Sequence, residues 1–175
     1  NDMPTIRLEV YRAAGALEAS AARAVAAVPA DPADALDDAL LALDDALERT
    51  LAEDDPGTAD RLSALHHAFH AELAAACAGP VTRALLDALR PRLERYEWFH
   101  GPLLQRAGAD FGVTHAEHRA IADAVRAGGA DAVERAVRAN WDNAAERLSA
   151  VIAAQVALPR GAPPQGAAAT AAVRG

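Results

Sequence analysis

Apolar residues recur at helical spacing along almost the whole chain. Between Asp34 and Glu53, the residues Leu36, Leu40, Leu43, Leu47 and Leu51 step by three and four and fall on one stripe. Between Thr58 and Ala78 the stripe is Leu62, Leu65, His66, Phe69, His70, Leu73 and Cys77. The fifth and sixth segments repeat the pattern, with His118, Ile121, Ala122 and Val125 on one stripe and Val133, Val137, Asn140, Ala144 and Leu148 on the other. Breakers divide these segments: Pro29 and Pro32, the run Asp54-Asp55-Pro56-Gly57, Gly79-Pro80, Gly101-Pro102 and Gly128-Gly129. The pattern predicts six helices, over about 4–28, 34–53, 58–78, 81–100, 114–127 and 131–158.

Local signals refine the boundaries. Pro4 suits a first helical turn, Pro91 predicts a kink in the fourth helix, and residues 103–113 read as a loop. Thr114 with Glu117 three positions on has the form of a capping box, each side chain satisfying the other residue's free backbone N–H. The expected architecture is a single all-α antiparallel bundle over residues 4–158, followed by a flexible tail, 159–175, that lacks bulky apolar residues.

Composition narrows the function. Apolar residues make up 52% of the chain but aromatics only 4%, and the excess is Ala and Leu, which favours helices over sheet. A formal net charge of −8 repels phosphate, so direct nucleic-acid binding by this chain is not expected. No stretch approaches the roughly 18 apolar residues of a membrane span. With no basic-then-apolar signal and one cysteine, the expectation is a soluble cytoplasmic protein. Cys77 sits on an apolar stripe and reads as a small buried hydrophobe. The acidic pairs Asp37-Asp38 and Asp44-Asp45 repeat at seven residues, on a face of the second helix that reads as solvated.

The candidate chemistry lies in the histidines. His66 and His70, four apart, stack one turn above the other on a core stripe, close enough for two imidazoles to hold one cation. His67 is turned about 100° away and is not expected to be a direct ligand. His118 and Asn140 face inward from two further helices. Buried imidazoles need partners, and two readings of them stand: core histidines bonded to carbonyls, or a shared metal.

The stretch Leu65-His-His-Ala-Phe-His-Ala-Glu-Leu-Ala-Ala-Ala-Cys-Ala-Gly-Pro resembles the signature Leu-Asp-x-x-Phe-His-x-x-Leu-x-x-Ala-x-Gly-Asn-Pro of the FCD (FadR C-terminal-like) ligand-binding domain of GntR-family bacterial regulators. Glu117-His-Arg-Ala-Ile-Ala-Asp-Ala-Val-Arg-Ala-Gly-Gly is similar to its later signature Glu-His-x-x-Ile-x-x-Ala-Leu-x-x-Gly-Asp. The helix from Val133 to Leu148 is similar to the closing segment, and Tyr11 to Ala27 to the opening helix. The resemblance implies a four-ligand metal site whose Asp position falls on His66, with the others on His70, His118 and Asn140. It implies Zn²⁺ foremost, with Ni²⁺, Cu²⁺ or Fe²⁺ also suited to an all-nitrogen set. The Arg that holds a carboxylate effector in relatives falls on Ala14, and the Glu after it is kept as Glu18.

Two functions follow from this reading. The first is a metal-dependent sensing domain of a regulator, binding a small-molecule effector as a homodimer, with Glu18, Arg92 and Tyr96 as candidate cavity residues. The second is a stand-alone metalloenzyme on the same scaffold, expected if Met3 is the natural start. It would use three histidines with open coordination positions, and His67, His115 or Glu72 as a nearby acid or base.

Overall fold

The computed structural model describes residues 3–52, 57–106 and 111–157. They form an all-α bundle: α1 (Met3–Ala22), a 3₁₀ segment (Arg23–Ala27), α2 (Ala30–Leu51), α3 (Thr58–Cys77), α4 (Pro80–Arg106), α5 (Phe111–Arg126) and α6 (Ala130–Ala157). The proposed tail, 159–175, lies outside the described residues.

The core is built where the stripes meet. α1 packs chiefly on α6, α2 on α3 and α5, and α4 along α1, α6 and α3. α1 presents small side chains to its neighbours: Ala14, Ala19 and Ala22 have no exposed surface. Gly15 permits the closest approach, since a Cβ there would lie 2.5 Å from Trp141 Cβ and 2.8 Å from its Cγ. Leu40, Phe69, Leu73, Ile121, Val133 and Val137 fill the centre. At the end of α5, Gly128 takes a φ of 70° and its N–H donates to the Val125 carbonyl at 2.9 Å, closing the helix in the left-handed conformation glycine adopts without strain.

Several boundaries differ from the sequence pattern. The α4 helix runs through both Pro91 and Gly101-Pro102 to Arg106, so most of the expected loop at 103–113 is helical. Each proline removes one backbone donor, but the ladder on either side carries the helix on. The first helix ends at Ala22, and a 3₁₀ turn covers the rest of its predicted length. The expected capping box is not formed: α5 begins at Phe111, so Thr114 lies inside it. The Glu117 carboxylate is drawn instead to α6, where it accepts from Asn140 Nδ2 (3.0 Å), Asn143 Nδ2 (2.8 Å) and both terminal nitrogens of Arg147 (2.9 and 3.0 Å). Donors of that number, one of them a cation, outweigh a single backbone N–H.

The acidic face of α2 is not solvated as expected. Asp44 has no exposed surface and Asp37 keeps 8%. They meet α5, whose His115, Arg119 and Arg126 form a complementary face. The pairing of Asp44 with residues 115 and 119, and of Asp37 with Arg126 at 2.9 Å, makes α2 and α5 antiparallel.

Candidate metal centre

The histidine stripe of α3 faces the α5 stripe. His66, His70 and His118 each offer one ring nitrogen such that all three lie within 4.8 Å of one another. Nitrogens bound to one tetrahedral zinc ion lie about 3.4 Å apart, so the rings would draw together to close the set. The rings crowd together: centroids are 4.7 Å apart for His66 and His70, 5.2 Å for His66 and His118, and 5.5 Å for His70 and His118. Phe69 stacks on His118 at 4.0 Å with an interplanar angle of 3°, which fixes the plane of that imidazole.

The environment sets the protonation state. His70 Nδ1 donates to Glu18 Oε1 at 2.6 Å, and both side chains are buried. Glu18 Oε2 accepts from Trp141 Nε1 at 3.2 Å, so the carboxylate faces two donors. With its proton held on Nδ1, His70 turns the lone pair of Nε2 inward, and that buried atom has no hydrogen-bond partner. Both ring nitrogens of His118 are buried and without a hydrogen-bond partner as well. Its Nδ1 lies 3.6 Å from Asp44 Oδ1. Burial holds the His118 pKa below its ordinary 6.5, against the opposing pull of Asp44. His66 keeps some exposed surface, but its Nδ1 is buried, and burial followed by the neighbouring His70 and His118 holds its pKa well below 6.5. Neutral imidazoles with inward lone pairs are the form that ligates metals. Buried nitrogens without a hydrogen-bond partner on both His70 and His118 are what a cation would satisfy, so the residues fit a transition metal.

Asn140 is 2% exposed on α6, its side-chain nitrogen donating to Glu117. His67 lies outside the converging set and lines a half-open cleft with Ala14, Glu18, His70, Leu86, Arg90 and Trp141. The cleft holds about 40 Å³, room for a few waters. Of the three candidate cavity residues, Glu18 lines this cleft. Tyr96 packs partly buried against the core, and Arg92 is exposed outside the cleft, while Arg90 takes a place in its wall. Glu72 is exposed, and His115 Nδ1 lies 3.0 Å from Asp44 Oδ2. Burial, aided by Glu18, pushes the Cys77 thiol up to about 11, in keeping with an inert side chain.

Sequence reasoning missed Asp44, Arg119, Arg90 and Trp141. For Asp44 a signal existed: acidic residues seven apart on α2 match basic residues at compatible helical spacing on α5.

An all-α bundle with inward histidines from two helices beside a small cleft describes a ligand-binding domain of a known type. The family model of the FCD domain matches residues 9–143, most of the chain, and the chain belongs to that family. FCD domains are the ligand-sensing domains of GntR-type regulators. Among curated proteins, none matches the chain. Among the described residues, no helix is long and apolar enough to cross a membrane.

Proposed function

We propose that the chain is a metal-dependent, small-molecule-sensing domain of a GntR-type regulator, with His66, His70 and His118 as metal ligands. One observation carries the metal: His66, His70 and His118 each bring one ring nitrogen within 4.8 Å of the others, and His70 Nε2 and both nitrogens of His118 are buried without a hydrogen-bond partner. Glu18 fixes the His70 tautomer, the arrangement in which a carboxylate behind an imidazole raises its basicity toward a metal. Asn140 completes the set through its amide oxygen, directly or through water. Zn²⁺ suits three imidazoles best, with Ni²⁺, Cu²⁺ and Fe²⁺ as competitors. The metal, when bound, supplies open positions to which an oxygen or nitrogen of a small effector coordinates.

The chain's own residues place the effector. The cleft beside His70 is walled by Glu18, Trp141 and Arg90, and its volume is well below the ~300 Å³ of an organic ligand site. Effector binding therefore requires α4, which carries Leu86, Arg90 and Leu93 of the wall, to shift from α1 and α3. An effector that binds the open and closed packings unequally shifts the balance between them. In a homodimeric regulator that shift would reach the attached DNA-binding domains.

Elemental analysis of the purified protein tests this reading. The expected content is roughly one transition metal per chain, abolished by His70→Ala and by His118→Ala with helicity retained. An unchanged metal content in the double variant would overturn it.

A further inference from the structure

Asp44 is a carboxylate with no exposed surface. Burying it is costly unless it is paired. Its two oxygens look in different directions. Oδ2 lies 2.7 Å from Arg119 Nε and 3.0 Å from His115 Nδ1. Arg119 also pairs with Asp45, and its side chain is 37% exposed, so this half of the cluster reaches the surface. The second oxygen, Oδ1, lies 3.6 Å from His118 Nδ1, between two side chains with no exposed surface; neither atom has a hydrogen-bond partner, and a closure of about half an ångström would make them a pair.

A carboxylate opposite a guanidinium serves as an acceptor, and the Arg119 Nε lies against Asp44 Oδ2. The stacking of Phe69 settles the plane of the His118 ring but not which of its nitrogens bears the proton. In a neutral imidazole one nitrogen donates and the other offers a lone pair. A carboxylate facing Nδ1 decides between them. We propose that Asp44 is a positioning residue for the metal centre: it holds the His118 proton on Nδ1 and so directs the Nε2 lone pair to the point shared with His66 and His70. Glu18 stands in the same relation to His70 from α1. Two helices that contribute no ligand thus each place a carboxylate behind one. The inference rests on the metal-binding reading above.

The test uses the full chain. Long-range ¹⁵N–¹H correlation on the metal-free protein reads the His118 tautomer, and Zn²⁺ affinity is read by competition with a chelator. Wild type is expected to show His118 as the Nδ1–H form. Asp44→Leu is expected to lose that preference and to bind Zn²⁺ about 10- to 100-fold more weakly. Asp44→Asn, which keeps an acceptor oxygen, should retain the tautomer and lose less affinity. A purely structural role for Asp44 would lower thermal stability in both variants and leave the tautomer unmoved. An Nε2–H form in wild type overturns the proposal, as does an Asp44→Leu affinity within about twofold of wild type. If Asp44→Leu does not fold, the wild-type and Asp44→Asn tautomers decide. Failure of wild type to bind Zn²⁺ overturns the metal reading and this proposal together. Zn²⁺ binding with His118 in the Nε2–H form overturns this proposal alone.

Discussion

Glu18→Gln separates the proposed metal site from the fold, because the substitution changes a charge and almost no volume. In the native protein the carboxylate accepts from His70 Nδ1 at 2.6 Å and from Trp141 Nε1 at 3.2 Å, and Glu18 is 2% exposed. A glutamine in the same place has one acceptor oxygen and one donor nitrogen. With the oxygen kept on Trp141, the amide nitrogen faces His70 and donates to it. His70 then carries its proton on Nε2, the atom otherwise aimed at the metal. The metal-free variant keeps both contacts of this side chain and leaves His70 Nε2 as unpartnered as in the native protein, so it should unfold close to wild type. To bind metal it must turn the amide or the ring and leave two donors facing each other, a buried mismatch of about 1–3 kcal/mol. Since about 1.4 kcal/mol is tenfold in affinity, Zn²⁺ should bind on the order of ten- to a hundredfold more weakly. Chelator competition measures the affinity, and urea unfolding of the metal-free protein measures stability. Affinity within about twofold of wild type, in a variant of normal stability, would refute the assignment of Glu18 as the carboxylate that orients His70.

Three further predictions follow from the same coordinates. Gly15→Ala gains about 1 kcal/mol of helix propensity, but its Cβ falls 2.5 Å from Trp141 Cβ, where no flexible side-chain end can yield. Overpacking at about 1–3 kcal/mol outweighs the gain, so urea unfolding should show net destabilisation; a neutral or stabilised variant would show that α1 and α6 are not so close. The metal-free protein should lose stability as pH falls below about 6.5, because His66 and His118 bind protons less readily folded than unfolded and the unfolded chain takes up more of them below that point. The double variant His66→Gln, His118→Gln should flatten the slope between about pH 6.5 and the lower folded-state values, and an unchanged slope counts against buried neutral rings. Cys77, with its thiol pushed up to about 11, should react slowly with a disulfide reagent at about pH 8 in the native protein and fast in urea; equal rates would place it at the surface.

Most of the fold was legible because it is written in local periodicity. The Leu36–Leu51 and Leu62–Cys77 stripes fix which faces are buried, and Gly128-Gly129 and Gly79-Pro80 fall where helices end. Gly101-Pro102 misled, since a proline removes one hydrogen bond but cannot stop a helix that its neighbours support. The three histidines were legible for the same reason as the core, being apolar-stripe positions filled by polar residues. The carboxylates behind them were less so. Glu18 was named as a cavity residue and proved to be the partner of His70, whereas Asp44 looked solvated because it was grouped with the acidic pairs, although Leu40 and Leu47 flank it at helical spacing on its own helix. Its burial comes from α5, which supplies His115, Arg119 and the His118 ring from a segment about 70 residues away. Pairing of this kind depends on which helices become neighbours, and no single stripe carries that information.

The cleft and the histidine cluster meet at His70, whose partner Glu18 also lines the cleft, and on the proposed metal reading that junction would link ligand to metal. Glu18 and His70 both line the cleft, while His70 also belongs to the converging set. Trp141 holds the other Glu18 oxygen, and Ala14 in the cleft wall adjoins Gly15, which lies against Trp141. A molecule in the cleft that draws on Glu18 competes with the bond that keeps the His70 proton on Nδ1. Anything that weakens that bond lowers the basicity of Nε2 and the hold on a metal. By reciprocity a bound metal, which favours the Glu18–His70 bond, must change the affinity of the cleft for its ligand by the same factor. On the proposed metal reading, a side chain that touches both sites needs no relay across the bundle: the coupling would run through one carboxylate on α1, the helix that packs against α6 and along α4.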